Sequence, residues 1–190
     1  MSNKKLVIAL GGNALGNTPE EQLELVKKTA STIVDLVEEG YDVVVGHGNG
    51  PQVGMINLAM EFSANNGGKT PAMPFPECGA MSQGYIGYHL QQAIQRELGR
   101  RGIDKECASV VTQMVVSEDD LAFQKPTKPV GSFYSKEDAD KIVAEKGYTF
   151  VEDAGRGWRR VVPSPLPTRI VELKVVEQLV AAGDVVITVG

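Results

Sequence analysis

Apolar residues along this chain alternate between strand-like runs and helical spacing, and that alternation sets out its elements. Lys5 to Leu10 is a short continuous apolar run that stops at Gly11-Gly12; the flanking glycines and β-branched residues predict a buried parallel strand. Thr18-Pro19-Glu20-Glu21 predicts a helix start, with Thr18 as N-cap, Pro19 at the first helical position and Glu21 closing a capping box. Leu23, Val26, Ala30, Ile33, Val34 and Val37 then share one helical face, which Gly40 ends. Tyr41 to Val45 is a second buried strand, followed by Gly46-His47-Gly48-Asn49-Gly50-Pro51. Pro51 suits the first turn of a helix running to about Ala64. Another helix fits Gly79 to Gly102, with a charge-rich second half, and Ala108 to Val116 is a third strand candidate. Strand–helix alternation of this kind implies an α/β fold, an open and mainly parallel sheet sandwiched between helices.

The pattern changes between about Ala122 and Pro167, a stretch carrying Pro126, Pro129, Pro163, Pro165 and Pro167. A short helical pattern near Lys136 to Lys146 is followed by two hairpin-like pieces, Tyr148 to Glu152 and Trp158 to Val162. This predicts a small subdomain at 122–163, inserted into a main lobe made of 1–121 and 164–190. The main pattern resumes with a helix at Ile170 to Ala182 and a strand at Asp184 to Val189. Gly190 comes directly after that strand, at the kind of junction where such sheets bind ligands, so the sequence is expected to be cut off there.

The 190 residues suffice for one domain with a core, or one domain plus a small appendage. The formal net charge of -5 gives no general affinity for nucleic acid or anionic membranes. Any phosphate must therefore be bound locally, by backbone amides and a few placed cations. Apolar runs are strand-length, too short to span a bilayer. The start, Met1-Ser2-Asn3-Lys4-Lys5, is followed by no secretory h-region. Cys78 and Cys107 are the only cysteines; reduced thiols in a cytoplasm are expected, with one disulfide left open.

Two glycine-rich loops, Gly11-Gly12-Asn13 and Gly46-His47-Gly48-Asn49-Gly50, leave the carboxyl ends of predicted parallel strands, the ligand edge of an open α/β sheet. Glycine lets consecutive amides point at one anion, and the helix after Pro51 would favour a phosphate at its start. Plain tight turns between strand and helix would leave the same pattern. Neither loop is a familiar nucleotide fingerprint: no Gly-Lys-Ser/Thr occurs, and a dinucleotide pattern beginning at Gly46 would need glycine where Pro51 stands. His47 either donates a hydrogen bond at this edge or packs beneath the loop. His89, Met73, Met81 and the two cysteines are better read as structural. Arg156, Arg159 and Arg160 around Trp158 form either a solvated hairpin or a phosphate-facing lid. Lys128, between Pro126 and Pro129, sits in a stiffened loop that would hold a cation in place, although composition alone makes it surface.

Longer blocks carry a more specific signal. Ala9-Leu10-Gly11-Gly12-Asn13-Ala14, His47-Gly48-Asn49-Gly50-Pro51-Gln52-Val53-Gly54, Pro71-Ala72-Met73-Pro74 and Met81-Ser82-Gln83-Gly84-Tyr85-Ile86-Gly87-Tyr88 are four of them. Pro126-Thr127-Lys128-Pro129-Val130-Gly131 and the run from Glu152 to Pro165 are two more. Together they closely resemble carbamate kinases of the amino acid kinase superfamily. The resemblance implies reversible phosphoryl transfer between carbamoyl phosphate and ADP, giving ATP and carbamate in arginine breakdown, by a cytoplasmic homodimer using Mg²⁺. It implies that Gly11, Gly12, Asn13, Gly48, Asn49 and Gly50 line the site for the phosphoryl group and carbamate. Lys128 would reach in from residues 122–163, which that family uses as a protruding lid. It also implies a further lobe holding most of the nucleotide site, so that the 190 residues alone are expected to form no ATP. Another superfamily phosphotransferase is the competing enzyme reading, against which the Lys128 block and the Gly155 to Pro165 block argue. A short protein that binds an anion or a partner without catalysis is the third.

Overall fold

A computed structural model describes residues 4–12 and 15–190. The chain divides into two compact units: Met1–Val53, Pro74–Gln113 and Val171–Gly190 form the first, Gly54–Met73 and Met114–Ile170 the second. The expected insertion at 122–163 has different bounds here. An antiparallel pair formed by β4 (Met114–Val116) and β8 (Pro167–Ile170) draws both flanks of that stretch into the second unit.

The first unit is built on a four-stranded sheet in the order β1-β2-β9-β3, every neighbour parallel. Its strands are β1 (Lys4–Leu10), β2 (Tyr41–His47), β3 (Cys107–Ser109) and β9 (Val185–Thr188). Helices α1 (Pro19–Glu38) and α3 (Phe75–Arg101) supply Val26, Ile33, Val34, Ile86, Leu90 and Ile94 to one buried cluster with Val43, Val45 and Ile187 of the sheet. Helix α5 (Leu173–Ala182) packs Val176 and Val180 against Val186 in a second, smaller cluster.

Helix α1 starts as its sequence predicts. Thr18 Oγ1 accepts from the Glu21 amide at 3.2 Å, while the Glu21 carboxylate reaches back to the Asn17 amide at 2.9 Å, two free donors satisfied reciprocally. Val26, Ala30, Ile33, Val34 and Val37 are buried as expected; only the first position of the face differs, with Leu23 exposed and Gln22 fully buried in its place. The expectation of a buried first strand also needs correction. β1 is an edge strand whose Ile8 and Leu10 lean on the larger cluster, while Val7 on the opposite face is 72% exposed. A continuous apolar run is compatible with either environment.

The predicted strand at 108–116 is broken in two. β3 pairs with β9 in the main sheet, and β4 pairs with β8 in the second unit. Between them the Thr112 amide donates to Gln83 Oε1 at 2.9 Å. Gln91 and Gln95 likewise accept from the amides of Ser109 and Cys107, each at 2.8 Å. Glutamines of α3 thus satisfy the outer edge of β3, where a further strand would otherwise pair. Gly87 on the same helix allows this approach, since a Cβ there would meet the Ser109 side chain.

In the second unit, β5 (Lys128–Tyr134), β7 (Trp158–Val162) and β6 (Thr149–Glu152) form an antiparallel sheet in that order. Helix α4 (Lys136–Lys146) is capped by Ser135 and closed by Gly147, and it buries Ala139. Helix α2 (Gln52–Asn65) enters this unit at Gly54, where a Cβ would stand 4.0 Å from the backbone of Gly131 in β5. Strands β5 and β8 were not foreseen, and α5 begins at Leu173 where the sequence predicted Ile170.

Candidate functional site

Parallel pairing sets the two glycine loops side by side. The β1–β2 register ends with Leu10 opposite His47, so both loops leave the same sheet edge. The Gly48 amide donates to the Leu10 carbonyl at 2.9 Å. A Cβ placed on Gly12 would stand 3.0 Å from the Gly50 carbonyl oxygen, so glycine is what permits the close approach. The amides of Gly11, Gly12, Asn49 and Gly50 have no partner among the described residues. Asn13 lies outside the described residues. Gly48 differs from its neighbours: its N–H is committed to the fold, which makes it a residue that aligns the loop.

Helix α2 begins at Gln52, with the Val53 amide donating to the Asn49 carbonyl at 2.8 Å. Pro51 precedes the first helical residue, one position outside its predicted place. The carboxyl end of β9 reaches the same edge, where Val189 holds a left-handed φ of 53° and lies close to Gly46. A β-branched residue is strained in that region, and such strain collects at functional sites. The Thr188 hydroxyl beside it is buried without a partner.

The structure decides between the two readings of His47. Its Nδ1 lies 2.8 Å from the Gly48 carbonyl, which can only accept, so Nδ1 carries the proton. Burial pushes the imidazole pKa down, and the neutral ring leaves Nε2 as a lone pair. His47 therefore packs under the loop and offers no donor to an anion at neutral pH.

Lys128 is the first residue of β5, opposite Val162. The loop position read from its prolines is corrected: Pro129 sits inside an edge strand, where proline is tolerated. The lysine side chain is exposed and makes no hydrogen bond or ion pair with any described residue. The neighbouring arginines are used within their own unit. Arg156 and Arg159 both bind Asp153 and both lie 5.1 Å from the Phe133 ring centre, while Arg160 stacks on Tyr148 at 3.6 Å.

Other candidates fall away. Neither Cys78 nor Cys107 forms a disulfide, both are buried, and burial pushes the Cys107 thiol up to about 12, far from a reactive thiolate. His89 is wedged against Tyr85 and Tyr88, its pKa lowered by burial. Among the described residues no group of three or more His, Cys, Asp or Glu converges to hold a metal. No helix among them is long and apolar enough to cross a membrane. Two open cavities of about 550 and about 610 Å³ flank α3, and no glycine-loop residue lines either. A site built from backbone amides on a sheet edge is shallow, so depth is a poor guide to it. Gln52 and Gln22, both buried at the foot of these loops, had no signal in the sequence beyond Gln52's place after Pro51.

Residues 4–190 match the amino acid kinase family. The chain belongs to that family. Among curated relatives, a carbamate kinase of Staphylococcus haemolyticus is 60% identical over 98% of this chain. Carbamate kinase 3 of Staphylococcus aureus is 58% identical over the same share. The chain spans about 60% of the length of these relatives. Among solved structures, the carbamate kinase from Giardia lamblia bound to AMP-PNP superposes with a TM-score of 0.88 at 44% identity. It covers 98% of this chain and 60% of its own. The same enzyme bound to citric acid gives a TM-score of 0.83, also at 44% identity, over 98% of this chain and 61% of its own. Both the amino acid kinase assignment and the α/β fold expected from the sequence therefore stand.

Proposed function

We propose that this protein is a carbamate kinase, transferring a phosphoryl group reversibly between carbamoyl phosphate and ADP. The observation that carries the proposal is the meeting of two glycine loops, with unpaired amides, at one edge of a parallel sheet. The carbamate kinase relatives narrow the substrate class. Phosphoryl transfer asks mainly for alignment and for neutralisation of spread negative charge. Gly11, Gly12, Asn49 and Gly50 would direct amides at the transferring group, Gly48 would hold the second loop, and Asn13 would add a neutral side-chain donor. Lys128, exposed and unpartnered, is the proposed catalytic cation.

Mg²⁺ is proposed to arrive with the nucleotide phosphates. No acidic cluster among the described residues fits a magnesium site, so no residue of this chain is assigned to it. A role in arginine breakdown is proposed from the resemblance alone. A cytoplasmic setting is favoured by two cysteines that form no disulfide. A homodimer is favoured by exposed apolar side chains on and beside α3, Tyr88 and Val111 among them. The test is ATP formation from ADP and carbamoyl phosphate with Mg²⁺, using the protein expressed in full from its gene and other acyl phosphates as controls. Turnover selective for carbamoyl phosphate is expected; selectivity for another acyl phosphate would transfer the protein to a different member activity of the family.

A further inference from the structure

Three ties fix the spacing of the glycine loops, and only one of them is made by a side chain. At the root, the Gly48 amide donates to the Leu10 carbonyl; in the middle, the loops come so close that a Cβ on Gly12 would stand 3.0 Å from the Gly50 carbonyl oxygen. At the far end, Gln52 Nε2 donates to the Gly16 carbonyl at 3.0 Å. Gln52 is 1% exposed, and its Oε1 is buried with no partner.

Gly16 is where the first loop turns into the approach to α1. It holds a φ of 66°, and a Cβ there would stand 2.9 Å from Glu21 Cβ. Its carbonyl is thus a fixed point of the first loop. Gln52 follows the second loop after Pro51 and opens α2. One buried amide therefore joins the end of one loop to the end of the other, with the unpaired amides of Gly11, Gly12, Asn49 and Gly50 lying between the ties.

The side chain suits that task on chemical grounds. The bond needs an N–H donor facing a carbonyl in a dry setting, which disfavours a charged lysine or arginine. Glutamate would set a lone pair against a lone pair, and asparagine is one methylene short. The unspent Oε1 is the cost of using an amide here. Gln22 offers the contrast: it is equally buried, both its amide atoms lack partners, and it reaches neither loop's carbonyls.

We infer that Gln52 is a positioning residue for phosphoryl transfer, acting by locking the two glycine loops into one anion cradle. This rests on the functional reading above. Gln52→Met keeps the length and removes the donor; Gln52→Glu keeps the shape and replaces the bond with acceptor facing acceptor; Gln22→Met is the control.

The expected result is that both Gln52 variants fold and lose kcat by roughly 10- to 100-fold, the size of effect that follows small misplacement of reacting groups, with KM for ADP unchanged. Gln22→Met should retain wild-type kcat. A Gln52→Met protein with lowered melting temperature but unaltered kcat would reduce Gln52 to a structural role and overturn the inference. A second measurement needs no variant. In an inorganic phosphate titration followed by amide NMR, the Gln52 side-chain signal should move with the same midpoint as the Gly12 and Gly50 amides. If it stands still while they move, or if the two loops titrate independently, the inference fails. If the loops and Gln52 titrate together but carbamoyl phosphate is not turned over, the coupling stands and the carbamate kinase reading is what fails.

Discussion

The second unit consumes its polar groups internally, while the first leaves several unspent. Around β7, Asp153 binds two arginines, Arg160 covers Tyr148, and Lys136 lies 4.7 Å from the Trp158 ring centre. The first unit buries Gln22, Gln52 and Thr188 with unpaired atoms beside the loops that follow β1, β2 and β9, and His89 of α3 has an unpaired Nδ1 as well. Arg159 Nε is the second unit's one comparable atom among the described residues. Native interiors seldom leave buried polar groups unpaired. The three at these loops mark an edge where the fold gives up internal satisfaction, and the ion pairs and ring contacts around β7, Arg159 Nε aside, show fuller use of the same chemistry. Lys128 is a local exception, an unpartnered cation in the unit that otherwise pairs many of its own.

That exception gives the largest expected effect. Lys128→Ala should lower turnover of carbamoyl phosphate by roughly 10²- to 10³-fold, the scale for losing one placed electrostatic stabiliser, with no change in melting temperature. Near-normal kinetics would return Lys128 to the ordinary surface of β5.

Next comes the loop contact. Gly12→Ala introduces a Cβ 3.0 Å from the Gly50 carbonyl, so the loops must part by a few tenths of an ångström. Phosphate affinity is expected to fall by about tenfold, the order of effect for a small misalignment, in a protein that still folds; calorimetric titration with phosphate measures it. Unchanged affinity would mean that the loops bind independently.

The scaffold can be probed without touching the site. Gly87→Ala sets a Cβ against Ser109, and the overpacking should cost about 1–3 kcal/mol in urea unfolding. A cost near zero would show that α3 can draw back from β3 freely.

The smallest effect concerns pH. Glu97 accepts from Arg100 and Arg101, and these hydrogen bonds hold its carboxyl at about 2 against an ordinary 4.5. Arg101 also reaches Asp35, Glu38 and Ser31, tying α3 to α1. The folded chain keeps Glu97 ionised where the unfolded chain takes up a proton, so this contribution is present above about pH 4.5 and is lost as pH falls toward 2. Melting temperatures followed down that range should fall less steeply in Glu97→Gln than in the unaltered protein; parallel curves would count against the assignment.

These contrasts explain which parts were legible in the sequence. The start of α1 was, because Thr18, Pro19 and Glu21 act on local backbone that any tertiary setting leaves intact. The ligand edge was too, since glycines after parallel strands mark it wherever the sheet ends. The exposure of Val7 was not, because an edge strand and a central strand can carry the same apolar run. The break between β3 and β4 was hidden because the chain changes sheets with no change in period across Ala108 to Val116. β5 and β8 were masked by Pro129 and Pro167, which signal loops locally and are accommodated on strand edges. Gln52 and Gln22 were invisible for a different reason. Nothing local distinguishes a buried amide from the solvated one that a polar residue usually supplies.

The central claim is that the two glycine loops form one anion site. A crystal structure of the protein soaked in inorganic phosphate tests it most directly. The account predicts one phosphate within hydrogen-bonding distance of the amides of both Gly12 and Gly50, with the Gln52–Gly16 bond intact. Both loops empty, or a phosphate held by one loop alone, would contradict it.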